Sequence, residues 1–313
     1  KKIMNISLIG HIYFCEKLAD KLREKNHKVD VLFYSHWGKN LFHSLHFCKN
    51  ADVIHFICGR GIRKFPLAFI LRFIMNKKLI VHFVGSDVLQ FKKQNFIDQI
   101  NWKIALLICH RIFTGSPQLK NELDPYVKST FFHLIYQNTK FGKRAFPVKC
   151  TVLSYIPKVN PIFYGYNEIE SLIKLNNDVN FIIITDYGNL AKFSNVQVLP
   201  FDKTRNMSEI YSKTSILIRL TDHDGLCQMV LEALSHGCYV LWTSPFLFCN
   251  QVSKNADNVN AELQKLKKIT IPNFEAINWC KENLNSDSNI NELINVYKNP
   301  KINIKSLQFN YNS

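Results

Sequence analysis

The sequence is poor in acidic residues relative to basic ones. Asp and Glu total 24 against 40 Lys and Arg in 313 residues, so the formal net charge is +16. An excess of this size predicts anionic partners: nucleic acid, a membrane surface or a phosphorylated metabolite. The net charge alone does not choose among these three classes of partner. The apolar fraction of 47% excludes a mainly disordered chain.

No apolar run is long enough to span a bilayer. The longest strongly apolar stretch, residues 66–75, is interrupted by Arg72 and falls short of the roughly 20 residues that a spanning helix needs. Near the N-terminus, Asn5 and His11 break the apolar segment and no small-residue cleavage site follows. We therefore expect residues 3–9 to form a first β-strand rather than part of a signal peptide.

Several short motifs are also missing. The nine cysteines are odd in number and include no CxxC pair, which is typical of buried thiols in a reducing compartment. Two Cys and His pairs, at 109–110 and 223–227, lack a second pair at ligand spacing, so we expect no metal. The absence of GxGxxG disfavours a dinucleotide oxidoreductase. Likewise, the absence of zinc-finger, basic-zipper and RNP patterns disfavours a nucleic-acid partner.

What is present is a repeated alternation of short apolar strands and helices. In the first half, strands are expected at 3–9, 28–34, 52–58, 78–84 and 111–114, with helices at about 14–25, 41–49 and 65–76. Continuous apolar strands alternating with helices predict a parallel sheet covered on both faces. The ligands of such a sheet lie at the carboxyl ends of its strands, here marked by Gly10, Gly59, Gly85 and Gly115.

The alternation restarts after the basic stretch 141–144, which we interpret as a linker. Strands are expected at 151–156, 180–185, 195–199, 215–220 and 238–243, followed by helices at about 273–285 and 289–298. The predicted fold class is α/β, with two Rossmann-like, doubly wound parallel-sheet domains facing a cleft. The expected division is 1–145, 146–272, and a terminal segment 273–313 that packs back on the first domain.

The most informative segment is 218–243, IRLTDHDGLCQMVLEALSHGCYVLWT. It places a strand, an Asp-Gly turn, a helix and a second strand in one unit. The free amides at the start of that helix suit a phosphate group. Glu232 lies eight residues after Asp224, two turns into the helix, where it can reach a ribose diol. The alternative is an ordinary N-cap at Asp224 and a surface acid at Glu232.

This segment resembles the donor-site signature of family 4 glycosyltransferases of the GT-B fold, E-G-F-G-x-x-x-x-E-A-x-x-x-G. Both acid positions agree, as do Gly225, Ala233 and Gly237. The resemblance implies that Asp224, a candidate catalytic residue, contacts the donor sugar, that the turn amides of Gly225, Leu226 and Cys227 bind the diphosphate, and that Glu232 binds the ribose. Asp replaces the usual Glu at 224, and Cys227 replaces the second glycine of the turn.

A basic pair that neutralises the diphosphate is also implied by the resemblance. Lys158 matches its first position, whereas Tyr164 stands near the second. Arg219, on the strand before the acid loop, can supply the missing charge because a guanidinium pairs well with phosphate oxygens. Its alternative role is a salt bridge. His223 either touches the donor sugar or caps the turn.

The acceptor side is expected in the first domain. The loops that we assign to it contain Gly10, Gly85, Ser86, Gly115 and Ser116, and those at 82–87 and 114–116 resemble the acceptor loops of this family. Asp87 or His82 is the candidate catalytic group that orients or deprotonates an acceptor hydroxyl. For His82, a position inside an apolar strand equally suits a core residue.

Basic residues also surround an apolar stretch between 60 and 78. No acid occurs between Asp52 and Asp87, and the stretch has the pattern of a helix that lies in the interface of an anionic membrane. An ordinary packing helix is the alternative. A second acid-free span, 125–167, carries further basic residues that suit a nucleotide diphosphate or a polyprenyl pyrophosphate.

Taken with the resemblance, these patterns predict a retaining glycosyltransferase without a cofactor or metal. Its co-substrate is a nucleotide-diphosphate sugar, with a UDP-sugar as the first expectation. The expected acceptor is a glycan or polyprenyl-linked hydroxyl of the cell envelope, and the expected location is cytoplasmic, peripheral to the inner face of the membrane. Two alternatives stay open: a GT-B nucleotide-sugar epimerase, and a non-enzymatic basic protein that binds membranes or nucleic acid on a degenerate scaffold.

Overall fold

The computed structural model describes residues 2–33, 36–37, 41–135, 146–202 and 204–304. These residues form two compact units. Unit 1 contains residues up to 135 together with 285–304, and unit 2 contains residues 146–284. The predicted linker at 141–144 lies outside the described residues.

Each unit is built on one parallel sheet. The strands are β1 (Asn5–Gly10), β2 (Lys28–Phe33), β3 (Val53–Ile57), β4 (Lys78–Phe83), β5 (Arg111–Thr114), β6 (Thr130–Phe131), β7 (Thr151–Ile156), β8 (Asn180–Thr185), β9 (Val196–Leu199), β10 (Ile216–Arg219), β11 (Tyr239–Trp242) and β12 (Cys249–Gln251). Their order is β2-β1-β3-β4-β5-β6 in unit 1 and β12-β11-β10-β7-β8-β9 in unit 2. Within the described ranges every strand pair is parallel, which confirms the predicted α/β fold class.

Helices connect and cover the strands. They are α1 (Ile12–Glu24), α2 (Leu41–Cys48), α3 (Phe65–Phe69), α4 (Asp87–Lys92), α5 (Phe96–Leu107), α6 (Pro117–Leu123), α7 (Tyr166–Leu175), α8 (Met207–Ser212), α9 (Gln228–Ser235), α10 (Ala256–Leu266), α11 (Phe274–Asn283) and α12 (Ser286–Lys298). The first-half prediction of a helix over 65–76 becomes α3 followed directly by a π-helical turn, Ile70–Ile74. None of the described helices is both long and apolar enough to cross a membrane.

The unit 1 sheet buries both faces. Alternate residues of β3 enter opposite apolar clusters, Ile54 and Phe56 on one side and Val53 and Ile57 on the other. This period of two is what a strand covered on both faces requires. The carboxyl ends of the strands are then the edge that stays open to ligands.

The two last helices divide between the units. α12 places Ile290, Leu293 and Tyr297 in the unit 1 cluster that also contains Val53 and Ile57. α11 packs against α9 of unit 2 and buries Ala276 and Cys280. Each helix joins the sheet that its own apolar stripe can cover, so the chain returns to unit 1 at residue 285.

Candidate functional site

The strand order of unit 2 reverses between β7 and β10. The chain adds β8 and β9 on one side of β7, then crosses back to place β10 and β11 on the other side. In doubly wound sheets, ligands bind beyond the carboxyl ends of the strands at this switch point. Here those ends are Ile156, followed by Lys158, and Arg219, followed by the acid loop.

An ion pair occupies the end of β10. Arg219 Nε donates to Asp224 Oδ2 across 2.5 Å, and the two side chains are only 12% and 17% exposed. Burial by itself lowers the pKa of Arg219, but the Asp224 carboxylate beside it outweighs that effect and raises the pKa. The guanidinium therefore stays charged at any ordinary pH, largely buried at the switch point.

Asp224 also organises the turn that follows. Its second oxygen, Oδ1, accepts from the backbone amide of Gly225 at 3.0 Å. Gly225 and Leu226 are buried, and Cys227 is the N-cap of α9 without a side-chain cap bond. Burial raises the pKa of the Cys227 thiol to about 11, against the opposing effect of Arg219, so this side chain is neutral. The first-turn amides of α9 thus begin beside a fixed cation.

Glu232 is held in place by two donors. The hydroxyl of Tyr211 in α8 donates to Glu232 Oε2 at 2.9 Å, and Gln228 Nε2 lies 3.4 Å from Oε1. Tyr211 is buried, and burial together with Glu232 raises its pKa well above the ordinary value, so it remains a donor. Sequence reasoning missed Tyr211, because nothing in the pattern of α8 shows that it faces α9.

Aromatic rings surround the arginine. The Arg219 guanidinium lies 5.7 Å from the ring centroid of Tyr164. Tyr155 packs against Tyr164 at 6.3 Å and against Phe201 at 6.1 Å. Phe201, after β9, is 55% exposed. Beyond these strand ends lie a cation, a carboxylate and an accessible aromatic face.

Lys254 fixes the loop that carries Tyr164. Its ammonium donates to the Ile162 carbonyl at 2.5 Å and pairs with Asp222 at 2.6 Å. Gly165, with φ +79°, allows the close approach: a Cβ there would lie 2.6 Å from the Leu220 Cβ. The sequence contains no signal for Lys254, which comes from a distant turn before α10.

The other two residues predicted to bind the donor are Lys158 and His223. Lys158 is exposed just after β7, and it forms no ion pair with any residue that the structure describes. His223 is half-buried between Asp222 and Asp224. The structure therefore brings Arg219, Asp224, Gly225 and Cys227 together directly, while the roles of Lys158 and His223 stay predictions.

Asp87 of unit 1 is buried among backbone amides. Its oxygens accept from the Gly59 amide at 2.8 Å, the Gly85 amide at 2.9 Å and the Val84 amide at 3.2 Å. Burial raises its pKa, against the effect of these bonds. Asp87 thus joins the ends of β3 and β4, a structural role that the sequence did not suggest. A contact with an acceptor hydroxyl stays a prediction.

His82 lies inside the sheet rather than in a loop. It is 1% exposed, and its ring stacks at 5.8 Å on His55 and lies 5.6 Å from Phe113. Burial, together with His55 and His133, lowers its pKa well below the ordinary value. This is the core position that we named as its alternative, and its catalytic role has no support in these contacts.

The remaining predicted loop residues lie at the carboxyl edge of the unit 1 sheet. A Cβ at Gly10 would lie 2.0 Å from the Ile57 carbonyl oxygen, so the approach of β1 and β3 requires glycine. Gly115 donates to the Phe83 carbonyl at 2.8 Å. Ser116 caps α6 by accepting from Leu119 at 3.1 Å, and exposed Ser86 precedes α4. No group of three candidate metal ligands lies within the described ranges.

Comparison with solved structures identifies the architecture. The chain superposes on sucrose-phosphate synthase from Thermosynechococcus elongatus with a TM-score of 0.69 and 12% identity, covering 94% of this chain and 98% of that one. For HepE from Anabaena the TM-score is 0.67 and the identity 11%, and the match covers 95% of this chain and 100% of that one. For UGT89C1 from Arabidopsis thaliana the TM-score is 0.60 and the identity 10%, and the match covers 95% of this chain and 100% of that one.

These likenesses show that the chain has the GT-B fold. No family model matches the sequence, and no curated protein matches it. The resemblance to family 4 in particular therefore rests on the motif at 224–237. At identities this low, the shared fold does not by itself carry activity, which has to come from the site.

Proposed function

We propose that this chain is a glycosyltransferase that moves a sugar from a nucleoside-diphosphate sugar to a hydroxyl acceptor, and that unit 2 holds the donor. The observation that carries the proposal is the Arg219–Asp224 pair beside the uncapped start of α9, at the switch point of the sheet. A cation, free helix amides and a carboxylate at one strand end match a diphosphate attached to a polyhydroxylated group.

The parts of the donor follow the chemistry of the side chains. Arg219 and the amides of Leu226 and Cys227 face the diphosphate, while the Gly225 amide holds Asp224, which accepts from hydroxyls of the sugar. Glu232, oriented by Tyr211, accepts from the ribose diol. The exposed ring of Phe201 offers a flat surface on which a base can stack.

During transfer, the bond between the anomeric carbon and the diphosphate oxygen breaks, and negative charge accumulates on the departing diphosphate. Arg219 and the helix amides are fixed before the reaction begins, so they stabilise that charge without reorganising. The acceptor oxygen forms the new glycosidic bond, and its proton passes to the departing diphosphate oxygen. We extend the proposal to retention of the anomeric configuration, in line with the motif at 224–237.

A UDP-sugar is our first choice of donor. HepE of Anabaena was solved with UDP and glucose, and a TarM variant of S. aureus with UDP and α-GlcNAc-glycerol. For the acceptor we propose a glycan or polyprenyl-linked hydroxyl used in envelope synthesis at the inner face of a membrane. The basic composition of the chain suits such an anionic acceptor.

A thermal-shift screen against UDP, GDP, ADP, CDP and dTDP and their sugar conjugates tests the proposal. A ligand that binds only the folded state raises the melting temperature, so one base should stand out. Arg219→Gln should abolish that shift, whereas Lys213→Gln, an exposed change of the same charge in unit 2, should preserve it. No shift with any nucleotide would contradict the proposal, and conversion of the sugar without an acceptor would indicate an epimerase instead.

A further inference from the structure

Two neighbouring helices of unit 1 expose an unusual number of large apolar side chains. α3 with its π-helical turn packs against α5. Eight of the twelve large apolar residues that the described part of unit 1 exposes lie on these elements: Phe69, Phe73, Ile74, Phe96, Ile97, Ile100, Ile104 and Leu107. We call these eight residues the two-helix face. Phe96 and Ile97 are 76% and 71% exposed.

The pattern of α5 is the reverse of that of an ordinary surface helix. Its inner side already contributes Trp102, Ala105 and Leu106 to the core. The opposite side of a soluble helix is normally polar, yet Phe96, Ile100 and Ile104 recur there at every fourth residue. Contiguous exposed apolar surface of this kind marks a contact with another molecule.

A cavity opens where the two helices begin. It has a volume of about 540 Å³, and its lining includes Arg63, Lys64, Asp98, Asn101 and Trp102. Trp102 is 1% exposed, and its indole Nε1 has no acceptor among the residues that the structure describes. Two exposed cations favour an oxygen-rich anion, although Asp98 also lies in the lining and bonds to Asn95.

The charge around the face restricts its partner. Residues 60–107 contain nine Lys and Arg but two acids, Asp87 and Asp98, and Asp87 is buried among amides. A twofold dimer through this face would place like charges opposite each other, which costs affinity. A nucleic acid would match the charge but leave the eight apolar side chains without a partner. An anionic bilayer matches both features.

We propose that the two-helix face docks on an anionic phospholipid bilayer, with its apolar side chains at the acyl boundary and a lipid phosphate in the cavity beside Arg63 and Lys64. The membrane location of the acceptor under the proposed function gives this docking a purpose. The binding itself does not depend on transferase activity, because the donor residues belong to unit 2.

Vesicle flotation tests the apolar part. The full chain is floated with vesicles of phosphatidylcholine mixed with phosphatidylglycerol, and with phosphatidylcholine alone. The protein should float with the mixed vesicles only, and Phe96→Gln/Ile100→Gln should lower partitioning roughly tenfold or more because two inserted side chains are lost. The matched control is Leu175→Gln/Ile271→Gln, which removes two apolar side chains of 58% and 59% exposure from unit 2.

A second pair of variants tests the cavity. Arg63→Gln/Lys64→Gln should reduce binding to the mixed vesicles roughly tenfold, whereas Lys213→Gln/Lys268→Gln makes the same change of charge on exposed residues of unit 2 and should reduce it far less. Equal losses of vesicle binding in the two double variants would mean that the basic surface as a whole attracts the membrane. That result would overturn the assignment of a lipid phosphate to the cavity. All variants should melt near the parent temperature, since the altered side chains are exposed.

Three results would overturn the docking proposal. The first is no flotation with either vesicle, and the second is an equal loss in the Leu175 and Ile271 control. The third is a concentration-dependent dimer that Phe96→Gln/Ile100→Gln dissociates, which would make a second copy the occupant. A melting shift with inorganic phosphate that needs Arg63 and Lys64, without vesicle binding, would replace the lipid with a free anion. Nucleotide shifts measured on the same samples report separately on the proposed function.

Discussion

Arg219 and Asp224 form a largely buried ion pair of 2.5 Å in which each side chain is oriented by the other. Because Asp224 Oδ1 also accepts from the Gly225 amide, the carboxylate connects the cation to the turn that begins α9. This arrangement gives the two residues separable roles. Arg219 supplies charge to a diphosphate, and Asp224 supplies an acceptor for the sugar beyond it.

Asp224→Ala should weaken binding of the free nucleoside diphosphate far less than it reduces turnover of the sugar conjugate. Loss of one preorganised polar contact at a reacting centre costs roughly 100-fold to 1,000-fold in kcat. Calorimetry with the diphosphate and steady-state kinetics with its sugar conjugate separate the two effects. An equal loss of binding and turnover would instead mean that Asp224 only holds the turn.

Glu232→Ala should weaken binding of the nucleotide whether or not a sugar is attached, since its proposed partner is the ribose. Tyr211→Phe should reproduce part of that loss, about fivefold, because it removes one hydrogen bond to Glu232 without touching the ligand. Tyr239→Phe in β11 is the matched control. Unchanged affinity in Glu232→Ala would remove Glu232 from the ribose site.

A chelator should leave activity intact. The proposed site neutralises the diphosphate with Arg219 and the helix amides, so these groups take the part that a divalent ion plays in metal-dependent transferases. Activity measured after exhaustive treatment with EDTA, then after adding Mg²⁺ or Mn²⁺, checks this expectation. A strict requirement for either ion would contradict the proposed role of Arg219.

The sequence predicts the scaffold of the site better than its contacts. Apolar runs that end in glycine identify the strands, because buried parallel strands need few polar residues. The spacing from Asp224 to Glu232 identifies one helix and its turn. Tyr211 and Lys254 escape prediction because their contacts join segments 21 and 32 residues apart. Such pairs depend on packing angles that local patterns do not encode.

Packing between distant segments also decides the positions of His82 and Asp87. Both stand near a strand end, where sequence reasoning places functional groups. However, the side of the strand on which a residue lies decides whether its side chain is accessible. His82 lies on the side that α12 covers with Ile290 and Tyr297. Asp87 points back to three amides because β3 and β4 both end there.

Asp87→Ala should destabilise unit 1 rather than act only on catalysis. The substitution leaves buried amides without an acceptor, at a cost of about 1–3 kcal/mol for each group that water does not reach. We expect a lower melting temperature, with the nucleotide-induced shift preserved because the donor residues lie in unit 2. A variant with unchanged stability but no turnover would restore the catalytic role to Asp87.

Acid should destabilise unit 1 through three buried histidines, His55, His82 and His133. Burial lowers the pKa of His55 to about 3 and that of His133 to about 4, and it lowers the pKa of His82 well below 6.5. In the unfolded chain each titrates near 6.5. The unfolded state therefore binds more protons below that pH, so their stabilising contribution is complete above pH 6.5 and decreases as the pH falls toward 4.

At pH 5 the loss is about 2 kcal/mol each for His55 and His133, an upper value for independent groups. Asp87 opposes it, because its raised pKa favours protonation in the folded state. Melting curves between pH 7.5 and pH 5 measure the net slope. His82→Phe should reduce that slope, whereas exposed His46→Gln should leave it unchanged. His82→Phe also removes a bond to the Phe132 backbone, so the pH slopes of stability are compared rather than the melting temperatures themselves. Equal slopes in the parent, His82→Phe and His46→Gln would refute the role of His82 in acid destabilisation.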